Sequence, residues 1–299
     1  MGTGATVALI VAGLFAAGVI RRATRRRDPK DLAVTALYTS AAWSWAKLPG
    51  AELLFHRRAK AVFDGTNLAL ALPRALGRAP WLPASLVQRH LMIDRLVSDS
   101  GATEILELAA GLSRRGVAMS TDPRVSFTEV DRPFVVQRKR ALLERTAAGR
   151  AALARPNFRL VEGDVADVDL AALGSGTRPM AIVAEGLLMY LDSEAQRTLF
   201  RRIRALFDAR SGLFVFDLVP AAEQVRRGAL GSALGWFFRR ATRGARFARD
   251  ARTRDDVASD LRAAGFSVEL LEPKDVLDRW QLPYGDVWTQ VLLFVCRPA

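Results

Sequence analysis

Residues 103–115, TEILELAAGLSRR, decide how the rest of the chain is read. Ile105 to Leu108 is a short apolar run with one acid, Glu107. It breaks into Ala109-Ala110-Gly111, and a helix-compatible run follows from Leu112. That order reads as a buried strand, a tight turn of small residues and a helix start. Small residues let a backbone approach a ligand closely, and a helix start offers free N–H groups. One glycine stands where the dinucleotide fingerprint has three, so an ordinary strand-to-helix corner also fits the turn.

The next apolar run, VSFTEV at 125–130, ends at Asp131, 20 residues beyond Gly111. An acid at the end of the second strand of a doubly wound sheet is where a ribose hydroxyl pair is held. Both NAD enzymes and enzymes using S-adenosylmethionine meet this condition. From Thr103 onward strand-like and helix-like runs alternate, which argues for a parallel sheet covered on both faces. Strands are expected at 104–108, 125–130, 158–161, 180–184 and 212–218, with helices at 112–118, 132–148, 170–173 and 193–209. The end of the chain breaks the alternation. A helix at 254–264 leads through Gly265 to a strand at 266–271, a long loop at 272–286 and a last strand at 288–297. Two strands without a helix between them imply an antiparallel pair. The expectation is therefore an α/β fold of the class I methyltransferase (Rossmann-like) type, seven-stranded with an antiparallel last strand. An NAD oxidoreductase would be expected to close with another strand–helix–strand unit.

The 299 residues are half apolar, enough for a substantial core. Lys and Arg number 44 against 31 acids, a net charge of +13 that favours anionic surfaces, although a codon bias toward Arg would also raise it. Cys296 is the one cysteine, and His56 and His90 are the two histidines, so neither an intramolecular disulfide nor a Cys/His zinc site is expected.

Three regions precede or interrupt the alternating pattern. Residues 1–20 carry no charged side chain, and Arg21, Arg22, Arg25, Arg26 and Arg27 follow. Residues 1–30 read as an apolar anchor of the shortest spanning length with its arginines among anionic headgroups, which places the rest on the cytoplasmic face of the membrane. Residues 31–100 read as a helical cap over the strand ends. Its first helix carries Thr35, Leu37, Tyr38, Ala41, Ala42 and Trp45 at helical spacing and closes at Pro49-Gly50. The next segment breaks at Asp64-Gly65, and 69–76 is interrupted by Pro73. A third helix spans 84–97 with Leu86, His90, Ile93 and Leu96 on one face. A histidine on such a face is more often core than catalyst. His56, beside Arg57 and Arg58, is expected to be exposed. Residues 219–253 form a basic insertion in the 101–299 domain. It suits a lid, a membrane-surface helix through 237–254, or a solvated basic helix. Its aromatics, Trp236, Phe237 and Phe238, are clustered and not interleaved with basic residues, which speaks against nucleic acid.

These pieces together resemble the leucine carboxyl methyltransferase family, including its bacterial branch of polyketide O-methyltransferase-like proteins. The resemblance runs from about Leu32 to the C-terminus. It rests on ALYTSAAWSWAKLPGAELLF (36–55), LVQRHLMIDRLV (86–97), ILELAAGLSRR (105–115), FTEVDRPFVVQRKRALL (127–143), LVEGDVAD (160–167) and VAEGLLMYL (183–191). It implies S-adenosylmethionine as cofactor. Ala109 and Gly111 would admit its methionine half, Asp131 its ribose hydroxyls, Asp164 and Val165 its adenine. Glu185 would face its ammonium or sulfonium, and Arg89 its carboxylate. Each acid also has a plainer reading as a helix cap or an exposed loop charge. The sequence departs from the family pattern at Ala109, where glycine is usual, and at Ser113, where aspartate is usual. The second change removes a potential partner for Arg115 or for the cofactor ammonium.

The chemistry so implied is O-methylation of a carboxylate or hydroxyl on a small or lipid-like acceptor. Candidate bases are few, namely His56, His90, Glu185 and Tyr190, which favours an acidic acceptor, or a phenol whose ionised form a nearby Arg or Lys favours. A protein that keeps the fold without catalysis is the alternative, suggested by Ala109 and Ser113. An NAD-dependent oxidoreductase is disfavoured by the closing strand pair.

Overall fold

The computed structural model describes residues 34–75, 77, 80–174, 176–220, 252–287 and 289–299. The apolar segment expected at 1–30 and most of the basic stretch at 219–253 lie outside the described residues. Among the described residues no helix is long and apolar enough to cross a membrane.

The sheet has seven strands: β1 (Glu104–Leu108), β2 (Ser126–Asp131), β3 (Phe158–Glu162), β4 (Met180–Ala184), β5 (Gly212–Asp217), β6 (Phe266–Leu271) and β7 (Leu293–Pro298). Their order is β3-β2-β1-β4-β5-β7-β6. The first five run parallel, and β7 inserts antiparallel between β5 and β6. This is the class I methyltransferase arrangement that the alternation and the closing strand pair imply. An NAD-enzyme topology is thereby set aside.

The central strands form because both their faces are covered. All five residues of β4, MAIVA, are buried, as expected of a central parallel strand. Successive residues face opposite cores. Ile105, Ala181 and Val215 join one apolar cluster, and Leu106, Ile182, Phe214 and Phe216 the other. Phe216 stacks on Phe294 across the antiparallel pair, with ring centroids 4.8 Å apart. On the second face lie α7 (Ser193–Ala205) and α8 (Arg254–Ala263). On the first lie α1 (Val34–Trp45), α2 (Arg57–Ala75) and α3 (Leu82–Asp99), whose Leu37, Val62 and Ile93 share a core with Ile105.

Several local expectations are corrected. The helix α2 runs unbroken through Gly65 and Pro73. Tyr38 of α1 packs on Phe63, and its hydroxyl donates to Asn67 Oδ1 at 3.0 Å, so contacts on both sides of Gly65 outweigh glycine's cost of about 1 kcal/mol. The helix expected at 132–148 is two, α5 (Pro133–Leu143) and α6 (Ala147–Leu153). They divide where the Thr146 side chain accepts the Gly149 N–H and caps α6. The helix after the first turn, α4 (Arg115–Met119), starts three residues later than Leu112. The long loop before β7 holds a short helix, α9 (Pro273–Val276), and β7 starts at Leu293, not at 288. His56 is half-buried, its Nε2 2.5 Å from Arg138 Nη2, and not exposed as expected.

The contact of α4 with β2 has no room for a side chain at Gly116. A Cβ there would stand 2.6 Å from the Phe158 ring and would also collide with the Glu129 carboxylate. Gly116→Ala is expected to lower the unfolding free energy by about 1–3 kcal/mol in urea titration. An unchanged midpoint would contradict this packing.

Candidate functional site

A cavity of about 650 Å³ lies where the strand order reverses, at the C-terminal ends of β1 and β4. Ligands of open α/β sheets bind at such a switch point. The β1 turn forms one wall. Ala109 and Gly111 both take left-handed backbone angles, with φ of 52° and 57°. The turn is held at several points. The Ala110 N–H bonds the Val130 carbonyl, and the Ser113 N–H bonds the Ala110 carbonyl. The Gly111 N–H donates to Asp131 Oδ2 at 2.7 Å. Gly111 has space for a methyl group, the nearest atom being Ala36 Cβ at 3.8 Å, so its backbone angle and not crowding calls for glycine. Ala109 adopts the angle despite its Cβ, at a cost of about 1 kcal/mol.

Asp131 closes β2 and receives a second backbone donor, the Arg132 N–H, on Oδ1 at 2.7 Å. Burial raises its carboxyl above the ordinary value, and the two N–H groups oppose that rise. Asp164 and Val165 follow β3 on the cavity wall, with Asp164 Oδ1 accepting the Ala166 N–H. Thus Arg89, Ala109, Gly111, Asp131, Asp164, Val165, Glu185 and Tyr190 all line one cavity.

His90 does not line it. It is fully buried behind Glu185, with its ring 4.4 Å from that of Trp43. Its Nδ1 lies 2.8 Å from Glu185 Oε2 and 3.0 Å from Arg115 Nη2. Burial, reinforced by Arg115, pushes the imidazole pKa down to about 3. The structure therefore places His90 as a neutral core histidine that does not face the cavity.

Glu185 is the hub. Oε1 accepts from Arg89 Nε and Oε2 from Arg115 Nη2, each at 2.9 Å. Burial opposes its charge, but His90, Arg89 and Arg115 outweigh burial and hold the carboxyl well below the usual range. Arg89 also binds Asp217 Oδ2 through Nη1 at 2.7 Å, while Asp217 Oδ1 accepts the Gly186 N–H at 2.6 Å. Arg115 has no exposed surface and reaches Asp94 Oδ1 at 2.6 Å and Glu107. Arg114 joins Asp94 as well. The aspartate missing at 113 therefore leaves Arg115 with three acidic partners, against the expected loss, and Ser113 Oγ accepts the Arg115 N–H at 3.2 Å. Beneath the turn, buried Lys139 pairs with Glu129 and donates to the Ser113 carbonyl at 2.5 Å.

Asp94, Glu107, Glu129, Lys139 and Asp217 were not singled out as site residues from sequence. The signal for two of them was an acid inside an apolar strand. Glu107 and Glu129 lie directly opposite each other in the β1–β2 register, and two buried carboxylates require buried cations.

The fold and this switch-point cavity define a class I methyltransferase scaffold. The chain belongs to the leucine carboxyl methyltransferase family, whose model matches residues 21–204. Among its relatives is a "Putative S-adenosyl-L-methionine-dependent methyltransferase" of Mycobacterium sp. (strain KMS), 37% identical over 132 residues, 43% of either chain. Another of that name, from Mycobacterium bovis (strain BCG / Pasteur 1173P2), is 28% identical over 196 residues, 65% of this chain and 59% of that one. The alignments thus take in less than two thirds of each relative's length. An O-methyltransferase family protein from Burkholderia thailandensis is similar in structure at a TM-score of 0.49 and 13% identity, covering 89% of this chain and 72% of that one.

Two outcomes follow from the site's geometry. Ala109→Gly relieves the left-handed strain and is expected to raise the unfolding free energy by about 0.5–1 kcal/mol; a lowered urea midpoint would refute the strain. His90 has a folded pKa near 3, below its ordinary 6.5. In that window the unfolded chain binds more protons, so the His90 contribution to stability is complete above 6.5 and is lost as pH falls toward 3. His90→Gln should flatten the fall of unfolding free energy across that window, and an unaltered slope would show that His90 does not titrate on unfolding.

Proposed function

We propose that this chain binds S-adenosylmethionine in the switch-point cavity and methylates an oxygen of a small, apolar acceptor. The observation that carries this reading is Asp131. Its carboxylate stands on the cavity wall, fixed by two backbone N–H groups, and each oxygen keeps a lone pair for a hydroxyl donor. A second observation fits the cofactor. Oε2 of Glu107 is buried in the cavity lining and has no hydrogen-bond partner among the described residues, a vacancy that an ammonium donor would fill.

In this reading Asp131 holds the ribose, Asp164 and Val165 hold the adenine edge, and the backbone of 109–111 admits the methionine portion. Glu107 takes the ammonium in place of Glu185, whose oxygens are already shared by Arg89, Arg115 and His90. Arg89 keeps Nη2 as the donor for a carboxylate, since Nε and Nη1 are committed. The cofactor supplies an electrophilic methyl group on a sulfonium. The chain supplies orientation and exclusion of water.

The helices α1, α2 and α3 add Val34, Ala36, Val62, Leu82 and Leu86 to the cavity wall, and the segment after β4 adds Leu187, Met189 and Leu191, a lining that suits an apolar or lipid-like acceptor. The partners of Glu185 hold its carboxyl well below the usual range, which makes it a weak base, and His90 lies outside the cavity. An acceptor that enters ionised, a carboxylate or an acidic phenol, matches such a site. Tyr190, on the wall, then positions the acceptor oxygen.

Calorimetric titration of the full chain with S-adenosylmethionine tests this. Asp131→Ala should weaken binding at least about tenfold, because two hydroxyls lose a charged partner. Equal affinity in the variant would refute the assignment. Binding without turnover to S-adenosylhomocysteine across carboxylate and phenol acceptors would favour the non-catalytic alternative.

A further inference from the structure

We propose that Trp45, Trp81 and Tyr284 form a docking face that seats the protein on an anionic phospholipid bilayer. Four large apolar side chains are exposed among the described residues, and two of them, Trp45 (41%) and Tyr284 (36%), stack on each other with centroids 5.2 Å apart. Trp81 packs edge-on against both, at 6.0 Å and 5.3 Å. The three come from the end of α1, the start of α3 and the loop before β7, so the tertiary fold assembles them.

Their presentation is built. Tyr284 has a φ of 73°, a left-handed angle unfavourable to a bulky residue. Gln88, with no exposed surface, holds it there by donating to the carbonyls of Pro283 and Gly285, at 2.8 Å and 2.7 Å. Backbone strain held by a buried staple, with the result that an aromatic ring stays in solvent, is expected where the ring has a use.

The chemistry selects a lipid surface. Trp and Tyr combine an apolar body with a polar tip and concentrate at the membrane–water boundary. Lys47 is exposed two residues from Trp45, and the Arg74 guanidinium lies 5.6 Å over the Trp81 ring. Asp286 is the single acid within two residues of any of the three aromatics. The chain before α1 agrees. Its first 20 residues are uncharged, five arginines follow by position 27, and α1 starts at Val34. Residues 21–33 extend at most about 45 Å. A lipid-held start of the chain therefore keeps α1, about 18 Å long, and Trp45 at its end within reach of the same surface.

The test uses the full chain and vesicles of phosphatidylcholine, with or without phosphatidylglycerol, whose acyl chains are brominated to quench tryptophan. Quenching is expected with the phosphatidylglycerol vesicles and less with phosphatidylcholine alone. Trp45→Phe/Trp81→Phe, which keeps the aromatic packing, should lose most of that quenching at unchanged vesicle co-sedimentation. Trp45→Ser/Tyr284→Ser should partition about tenfold more weakly. Quenching that persists in the phenylalanine variant would overturn the proposal, as would absence of vesicle binding. A dimer in sedimentation velocity that the serine variant dissociates, with no quenching in the parent, would assign the face to a second copy of the chain instead.

Discussion

The guanidinium of Arg115 has no exposed surface and binds three acids from three parts of the chain: Asp94 of α3, Glu107 of β1 and Glu185 after β4. It therefore ties the helical layer to the sheet at the point where the strand order reverses. Burying such a charge is costly, and loss of one partner of a buried pair costs about 3–5 kcal/mol. The arrangement is worth more for placement than for net stability. Glu185 and Glu107 are fixed at the cavity wall, and α3 is held in register over the strand ends.

The cavity inherits its chemistry from that network. Glu185 is ionised because cations surround it, and His90 is neutral because burial and Arg115 outweigh the attraction of Glu185. Two of the candidate bases, Glu185 and His90, thus lie against each other in the fold. Burial, with the facing Glu107, raises the carboxyl of the neighbouring Glu129 above the ordinary value, and Lys139 opposes that rise. Lys139 joins that support to the Ser113 carbonyl, and Asp131 joins the other end of the turn to β2. A turn with left-handed angles at Ala109 and Gly111 persists because its neighbours fix it at both ends.

Much of this was readable in advance. The runs at 104–108 and 180–184 match β1 and β4 at both ends, because central strands buried on both faces read as continuous apolar runs. Gly111 and Asp131 were legible through spacing, and the structure joins them by a hydrogen bond. The break expected at Asp64-Gly65 did not form, since contacts of Tyr38 with Phe63 and Asn67 span it. The partners of Arg115 were hidden because they are 21, 8 and 70 residues away in the chain.

The sequence by itself determined the alternation of strands and helices, the antiparallel closing strand and the pairing of Gly111 with Asp131, because hydrophobic period and turn spacing are local properties of a chain; the family came from the resemblance of its motifs. Only the tertiary structure decided which charges the residues at the switch point keep. Charge state depends on burial and on partners within a few ångströms, and these come from distant segments. Trp45, Trp81 and Tyr284 show the same division: each was visible as an aromatic residue, and only the folded chain brought the three together at the surface.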